Sequence, residues 1–242
     1  MNKPNLLFPT PVWTLQLDNY KVVNEEMYDY IKKNQINDQK GITKSNIKGW
    51  HSKDFNLKQN EPQSFISFIS PSIEQVMTDM NWEKEKQIVK INIMWAIINT
   101  GGAANLRHQH GNSTISGAYY VRAPNKCGVI VFYDPRPAAV YSHPNIKAPN
   151  FLNAQVNGIS PKEGALVLFP SYLDHSVNEN LSNDLVRTNS NIEEFDFLIV
   201  DQESKIITIK PGSWILKKTL ITPPGYTLKA PAGLNLNLSG EF

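Results

Sequence analysis

The sequence contains a single cysteine, Cys127, so the chain cannot form an internal disulfide bond. We therefore expect a reducing compartment, the cytoplasm, and interpret Cys127 as an ordinary buried thiol. No apolar run approaches the roughly 20 residues that a membrane-spanning helix needs. Pro4, Pro9 and Pro11 interrupt the N-terminal segment where a signal peptide would lie. These absences predict a soluble cytoplasmic protein.

The chain also lacks a large excess of either charge, since 24 basic and 22 acidic side chains leave a net charge of +2 over 242 residues. Without a basic stripe or an aromatic series, nothing here indicates nucleic acid as a partner. A hydrophobic fraction of 40% is enough for a real core. The length favours one large β domain, or a domain with a short extension. The class of substrate, small molecule or peptide among others, stays open, as does the oligomeric state.

Apolar residues recur at helical spacing over residues 20–33 and again over residues 64–80. From Lys86 onward the pattern changes to short apolar segments separated by turn residues, which is typical of strands. The predicted strands are residues 12–17, 88–98, 105–110, 116–121, 129–133, 151–156, 165–169 and 185–190. Two helices and many short strands predict a mainly β (α+β) fold, a jelly roll with both helices packed on one side.

The last fifty or so residues have a different texture. Short strand candidates at residues 206–209, 213–216, 220–221 and 234–238 alternate with turns that contain proline and glycine. We place a boundary after Asn191, which divides the chain into a domain of residues 1–191 and a β-rich extension of residues 192–242. The pattern favours two or three rungs of a β-solenoid, or a small appended sheet.

Three of the five histidines have a spacing that suits metal ligands. His108 and His110 stand two apart in a predicted strand, so both imidazoles point to the same face. His175 follows a distant strand that a sandwich can bring to the same point. Such a site leaves coordination positions open for substrate and oxygen. The spacing alone equally fits polar side chains on a solvated face. His143 is interpreted as a surface residue.

Further short segments, spread over residues 5 to 190, occur in the same order as in a known protein family. They are residues 7–13, 49–53, 99–110, 116–121, 132–136 and 164–171, followed by His175 and Arg187. In these segments the chain resembles a family of 2-oxoglutarate- and Fe(II)-dependent oxygenases known mainly from marine bacteria and phages. The resemblance implies a double-stranded β-helix and hydroxylation of an unactivated C–H bond in a substrate that the sequence does not identify.

The resemblance also implies the residues of the site. Fe(II) would be bound by His108, His110 and His175. Arg187, 12 residues after His175, would bind the far carboxylate of the co-substrate 2-oxoglutarate, because a planar guanidinium forks onto a carboxylate. Asn105 matches the family pattern and either contacts the co-substrate or caps a turn.

Two features depart from the pattern that the chain resembles. The wider superfamily uses His-x-Asp or His-x-Glu, whereas this chain has histidine at both His108 and His110, with Asp134 and Asp174 as other carboxylates. Asn189 replaces a serine of the family two positions after the arginine. Two other functions therefore stay open. One is a cupin-like three-histidine dioxygenase or isomerase, and the other is a non-catalytic structural or binding module of a phage or surface protein.

Overall fold

The computed structural model describes residues 4–136 and 144–182, and in the tail Ser204 with strands at 198–201, 206–209, 213–216, 227–229 and 235–238. Contacts within the chain divide it into two units, Met1–Ser182 and Asn183–Phe242. The boundary predicted after Asn191 lies nine residues beyond Ser182. Among the helices of the described residues, none has the length and apolar character to cross a membrane.

The first helix, α1, spans Tyr20–Asn37 and ends four residues after the predicted 20–33. Its buried side chains are Asn24, Met27 and Tyr30, which recur every three residues and so form one face. Asn24 donates its amide to the carbonyl of Val121 at 2.9 Å. The helix is therefore held against the rest of the unit by this side-chain hydrogen bond as well as by apolar packing.

The second helix, α2, spans Asn60–Asp79 and begins four residues before the predicted 64–80. The earlier start has a local reason, because Glu61 suits the positive end of the helix dipole and Pro62 is tolerated in a first turn. Pro71 lies inside the helix and leaves one helical hydrogen bond unmade. Phe65, Ile69, Val76 and Met77 are buried, so the apolar stripe still packs over the full length.

The strands of the first unit form two larger antiparallel sheets and one two-stranded sheet. They are β1 (Trp13–Gln16), β2 (Asn46–Ile47), β3 (Trp50–His51), β4 (Ile97–Ile98), β5 (Ala104–His108), β6 (Ile115–Tyr119), β7 (Ile130–Tyr133), β8 (Val156–Ile159), β9 (Ala165–Pro170) and β10 (His175–Val177). One sheet has the order β1-β9-β6 and the other β2-β5-β10-β7-β8, while β3 pairs with β4. The predicted jelly roll with two flanking helices is confirmed.

Strand β9 joins the two layers of the core. All six of its residues are buried, which requires partners on both faces of the sheet. Leu166 and Leu168 belong to the cluster formed with the helices. Val167 and Phe169 alternate with them and pack with residues of β7 between the two sheets. The helices therefore cover the outer face of the β1-β9-β6 sheet, as predicted.

Two predicted strands are wrong in extent. Of residues 88–98, only Ile97–Ile98 are in a strand, and Ile88 is 92% exposed. The preceding residues make only isolated bonds to a neighbouring segment, such as Phe55 N–H to the carbonyl of Met94 at 2.8 Å. Apolar, β-branched residues favour a strand, but a strand also needs a continuous backbone partner.

The strand predicted at residues 151–156 lies instead at Val156–Ile159. The side chain of Asn150 accepts the N–H of Leu152 at 2.8 Å, and that of Asn153 accepts the N–H of Asn150 at 2.7 Å. These side-chain bonds hold a turn where the prediction had a strand. The strand predicted at residues 185–190 lies outside the described residues.

The described strands of the second unit are β11 (Leu198–Asp201), β12 (Ile206–Ile209), β13 (Ser213–Leu216), β14 (Thr227–Lys229) and β15 (Asn235–Leu238). β12 pairs in parallel with β14 and β13 with β15, at offsets of 21 and 22 residues. Parallel pairing at a nearly constant offset is the pattern of stacked solenoid rungs. Residues 220–221, a further predicted strand, lie outside the described residues.

We expect Gly164→Ala to destabilise the first unit by roughly 2 kcal/mol or more. Gly164 has φ +75°, and a Cβ there would collide with the ring of Tyr20, so the variant combines backbone strain with overpacking. Urea unfolding monitored by circular dichroism measures the change. Gly111→Ala is the control, since a Cβ there meets nothing within 4 Å. Equal stability of the two variants would contradict the expectation.

Candidate metal centre

Two of the three candidate histidines lie on adjacent strands. His108 ends β5 and His175 begins β10, and the antiparallel register pairs these two residues directly. Their ring centroids are 4.3 Å apart. The predicted strand at residues 165–169 ends before His175, but the histidine itself lies in a strand rather than in a loop.

His110 lies beyond the end of β5, although the prediction placed it in the same strand as His108. Its backbone N–H donates to the carbonyl of Ser171 at 3.0 Å. Ser171 in turn donates its own N–H to the carbonyl of Thr114 at 3.0 Å. The backbone next to β9 therefore fixes His110 where the strand pairing no longer does.

The structure brings the three predicted histidines together. His108, His110 and His175 each offer one ring nitrogen, and these atoms all lie within 4.8 Å of one another. The Nε2 atoms of His110 and His175 are 3.2 Å apart. Two nitrogen ligands about 2.1 Å from a metal and at right angles to each other would be about 3 Å apart. The spacing therefore fits a metal ion, while the role of ligand stays a prediction.

Hydrogen bonds determine which ring nitrogen is available. His108 lies with Nδ1 2.7 Å from the carbonyl of Leu106, and His175 with Nδ1 3.0 Å from the carbonyl of Leu173. Because a carbonyl oxygen only accepts, Nδ1 carries the hydrogen in both rings. The lone pair then resides on Nε2. Metal-binding histidines are oriented by such bonds, which also fix the tautomer.

The electrostatic surroundings favour neutral imidazoles. The pKa of His110 is lowered to about 4, chiefly by burial and then by electrostatic repulsion from His175, His108 and Lys44. Burial is also the largest cause that lowers the pKa of His175. Metals compete with protons for the same lone pair, so lowered pKa values keep the ligands ready at neutral pH.

The two carboxylates considered from the sequence are engaged elsewhere. Asp174 accepts from Arg107 at 2.6 Å and 2.9 Å. Asp134 accepts from Arg136 at 2.7 Å and 2.9 Å. The cluster that the described residues form consists of imidazoles alone, a donor set that suits iron, zinc, copper and nickel.

Aromatic rings surround the histidines. The rings of Phe169 and Phe132 lie 4.7 Å and 6.2 Å from that of His175. On the other side, Trp95 lies 5.6 Å from His110 and stacks on His51 at 5.7 Å. An apolar surround lowers the local dielectric and strengthens electrostatic interactions within it.

Trp95, His51 and Lys44 were not predicted as site residues. His51 is only 2% exposed, and the Nζ of Lys44 lies 5.7 Å from the centroid of the Trp95 ring. Trp95 belongs to an apolar run in which no feature of the sequence distinguishes it. His51 and Lys44 are far from the histidine motif in sequence, so only the fold brings them near.

The other predicted site residues are placed as follows. Asn105 is buried, its side-chain oxygen accepts from Asn99 at 2.8 Å, and its amide lies 3.3 Å from the hydroxyl of Ser45. These contacts give Asn105 a structural role between segments, and its co-substrate role stays a prediction. Arg187 and His143 lie outside the described residues.

Comparison with known proteins adds to this geometry. Residues 93–190 match the model of the family described as "Putative 2OG-Fe(II) oxygenase". The match covers less than half of the chain and includes the three histidines and Arg187. A crystal structure of a Pseudomonas putida prolyl-4-hydroxylase is similar, with a TM-score of 0.50 and 10% identity, over 71% of this chain and 86% of that chain. At this identity the likeness shows the fold alone. No curated protein matches.

The family match, the jelly roll and the histidine cluster together fit an Fe(II)- and 2-oxoglutarate-dependent dioxygenase. The resemblance inferred from the sequence is thus supported by a 2OG-Fe(II) oxygenase family match over residues 93–190. The family implies Fe(II) and 2-oxoglutarate as cofactor and co-substrate. The closer resemblance, to a family known mainly from marine bacteria and phages, stays a prediction.

We expect the metal-free protein to lose stability as the pH falls from about 6.5 to about 4. In the unfolded chain His110 has its ordinary pKa near 6.5 and is protonated over this range. In the folded protein the same side chain stays neutral down to about pH 4. Stability therefore rises with pH across the window and levels off above it. His110→Asn cannot take up this proton, so its pH dependence should be shallower. Urea unfolding with a chelator present measures both, and parallel curves would contradict the expectation.

Proposed function

We propose that the chain is an Fe(II)- and 2-oxoglutarate-dependent dioxygenase that hydroxylates a small-molecule or peptide substrate. One observation carries the proposal. Three imidazole nitrogens converge within 4.8 Å, and they do so in the segment that matches an oxygenase family model. The lone Cys127 is compatible with the cytoplasm as its compartment.

In this proposal His108, His110 and His175 hold the iron through a nitrogen of each ring. Bound iron with 2-oxoglutarate supplies the oxidising chemistry, while the protein supplies position and environment. The carbonyls of Leu106 and Leu173 keep two of the rings in the tautomer that leaves Nε2 free. The rings of Phe132 and Phe169 limit the access of water beside His175.

The charge of the site supports a dianionic co-substrate. Three neutral imidazoles leave a divalent ion with its full charge of two, whereas a carboxylate ligand would reduce that charge to one. 2-Oxoglutarate carries two negative charges at neutral pH, and the carboxylate that would bind the ion meets a site one unit more positive than a site with a carboxylate ligand. The missing aspartate of the wider superfamily is therefore compatible with co-substrate binding on electrostatic grounds.

We propose Arg187 as the partner of the far carboxylate of 2-oxoglutarate. It lies within the matched segment of residues 93–190, and a guanidinium binds a carboxylate through two charge-assisted hydrogen bonds. A direct contact from Asn105 would require its side chain to leave Asn99 and Ser45. We therefore assign Asn105 the support of the strand next to the site rather than the main contact.

A second candidate function is a cupin-like three-histidine dioxygenase or isomerase that needs no 2-oxoglutarate. The imidazole-only donor set of the described cluster favours it. Release of succinate from 2-oxoglutarate in the presence of iron separates the two functions. Metal-dependent turnover of a substrate without succinate would favour the cupin-like function. Failure to bind any metal under anaerobic, iron-replete conditions would favour a non-catalytic module.

Substituting His110 by alanine should abolish iron binding. The loss should exceed the roughly 10- to 100-fold that removal of a second-sphere partner costs, because a ligand itself is lost. Anaerobic titration with Fe(II), or with Co(II) as an air-stable probe, measures the affinity. His143→Ala serves as the control and should bind like the wild type. Unchanged affinity in His110→Ala would contradict the three-histidine site.

Substituting Arg187 by methionine should raise the KM for 2-oxoglutarate by about tenfold to a hundredfold. A hydrogen bond to a charged group is worth about 1.5–3 kcal/mol, and about 1.4 kcal/mol corresponds to a factor of ten. Arg187→Lys keeps the charge without the fork, so its KM should be intermediate. Succinate release gives KM, and Co(II) titration should show that both variants still bind metal. A wild-type KM in Arg187→Met would exclude this residue as the anchor.

A further inference from the structure

A second cluster lies on the face of the sheet opposite the histidines. The guanidinium of Arg107 donates to Oδ2 of Asp174 from Nη2 at 2.6 Å and from Nε at 2.9 Å. The same guanidinium lies 4.1 Å from the centroid of the Tyr133 ring. We call Arg107, Asp174 and Tyr133 the Arg107–Asp174 clamp.

The clamp contacts three neighbouring strands, of which two carry His108 and His175. Arg107 is on β5, Asp174 directly precedes β10, and Tyr133 ends β7. In the sheet β10 lies between β5 and β7. The side chain of Arg107 therefore reaches across the chain next to His175 and contacts the strand beyond it.

Each charged member of the clamp is the chain neighbour of a candidate ligand. Arg107 precedes His108, and Asp174 precedes His175. Successive side chains of an extended chain point to opposite faces, so the clamp contacts neither the imidazoles nor a metal held by them. Its influence on the metal can then pass only through the backbone of the two strands or through the electric field of its two charges.

Backbone pairing between β5 and β10 is irregular beside the histidines. β10 has only three residues. Its register with β5 shifts directly after His175, since His175 pairs with His108 but Val177 pairs with Asn105. Between these two pairs, one residue of β10 thus faces two of β5, which is a bulge that disrupts the ladder. Arg107 lies within this bulge, whereas Asp174 lies on the other side of the His108–His175 pair.

We propose that the Arg107–Asp174 clamp is the positioning element that sets His108 and His175 at metal-binding distance. The ion pair runs from Arg107 in the bulge, past the histidine pair, to Asp174 before β10, and so it joins the two strands where their pairing is irregular. Tyr133 restricts the guanidinium from the third strand, so the pair has one geometry. This inference rests on the proposed function only in that the histidines bind a metal.

Stability and metal affinity should respond differently to loss of the clamp. The side chains of Arg107 and Asp174 are 54% and 32% exposed, and exposed ion pairs contribute little to folding stability. Second-sphere partners, in contrast, typically change metal affinity by about 10- to 100-fold. A positioning role therefore predicts a large loss of affinity with a small change in thermal stability.

The sign of the change in metal affinity distinguishes a positioning role from a purely electrostatic effect of the two charges. Arg107 is a positive charge near the metal and Asp174 is a negative one. If only the field mattered, Arg107→Met would tighten metal binding and Asp174→Asn would weaken it. If the pair positions the strands, both substitutions weaken binding, and the double variant is no worse than either single variant.

The experiment is a titration of the purified full chain with Co(II) alone, followed by the visible absorption of the bound ion and by calorimetry. We expect a roughly tenfold or greater rise in Kd for Arg107→Met, for Asp174→Asn and for the double variant, with an altered Co(II) spectrum. Arg107→Lys keeps the charge and one donor, so it should recover part of the affinity.

The chain offers a matched control. Arg122 also binds a carboxylate, here through a single nitrogen that lies 2.8 Å and 2.7 Å from the two oxygens of Glu25. Its guanidinium lies 4.7 Å from the centroid of the Tyr28 ring. This triad connects the segment after β6 to α1 and touches neither histidine strand. Arg122→Met should change the Kd for Co(II) by less than twofold.

The outcomes separate the two proposals. In one outcome, His175→Ala abolishes Co(II) binding while Arg107→Met and Asp174→Asn bind with wild-type affinity. This outcome overturns the positioning role and leaves the metal-site proposal intact. Opposite signs in the two variants also overturn it, in favour of a field effect. Failure of the wild type to bind Co(II) overturns both proposals. If Arg107→Met does not fold, as judged by circular dichroism, Asp174→Asn and Arg107→Lys carry the decision.

Discussion

The candidate metal centre depends on one cross-strand pairing, in which β5 and β10 set His108 directly opposite His175. This pairing determines that the two rings share a face at a centroid distance of 4.3 Å. His110 joins them through a backbone bond to the carbonyl of Ser171. All three rings are thus located by main-chain hydrogen bonds, which restrict their positions more than flexible side chains would. The doubly buried strand β9 provides the rigid support, because it packs on the helices and on the second sheet at once.

The histidines are also prepared chemically by the surrounding chain. Carbonyls two residues earlier hold the Nδ1 hydrogens of His108 and His175, and burial lowers the pKa of His110 to about 4. A neutral imidazole buried without charge costs less free energy than a buried carboxylate without a partner. The all-imidazole donor set therefore suits an apolar sandwich, and it leaves the full charge of a divalent ion available to an anionic co-substrate.

Much of the fold was predictable because it depends on local patterns. Helical spacing placed α1 and α2 to within a few residues, and short apolar segments placed most strands of the two sheets. The failures have a common cause. Residues 88–96 look like a strand but lack a continuous partner, and Asn150 and Asn153 hold a turn where a strand was predicted. Strand pairing is a long-range property, so residues adjacent in sequence cannot report it.

The sequence by itself determined the candidate ligands His108, His110 and His175, because a two-residue spacing and a family pattern are local features of the chain. Only the tertiary structure decided that their nitrogens lie within 4.8 Å, since His175 reaches the others through register rather than through spacing. The same holds for Trp95 beside His110 and for Arg107 with Asp174, whose contacts join separate segments of the chain. Spacing specifies which residues can share a face, whereas sheet order and register specify which faces meet.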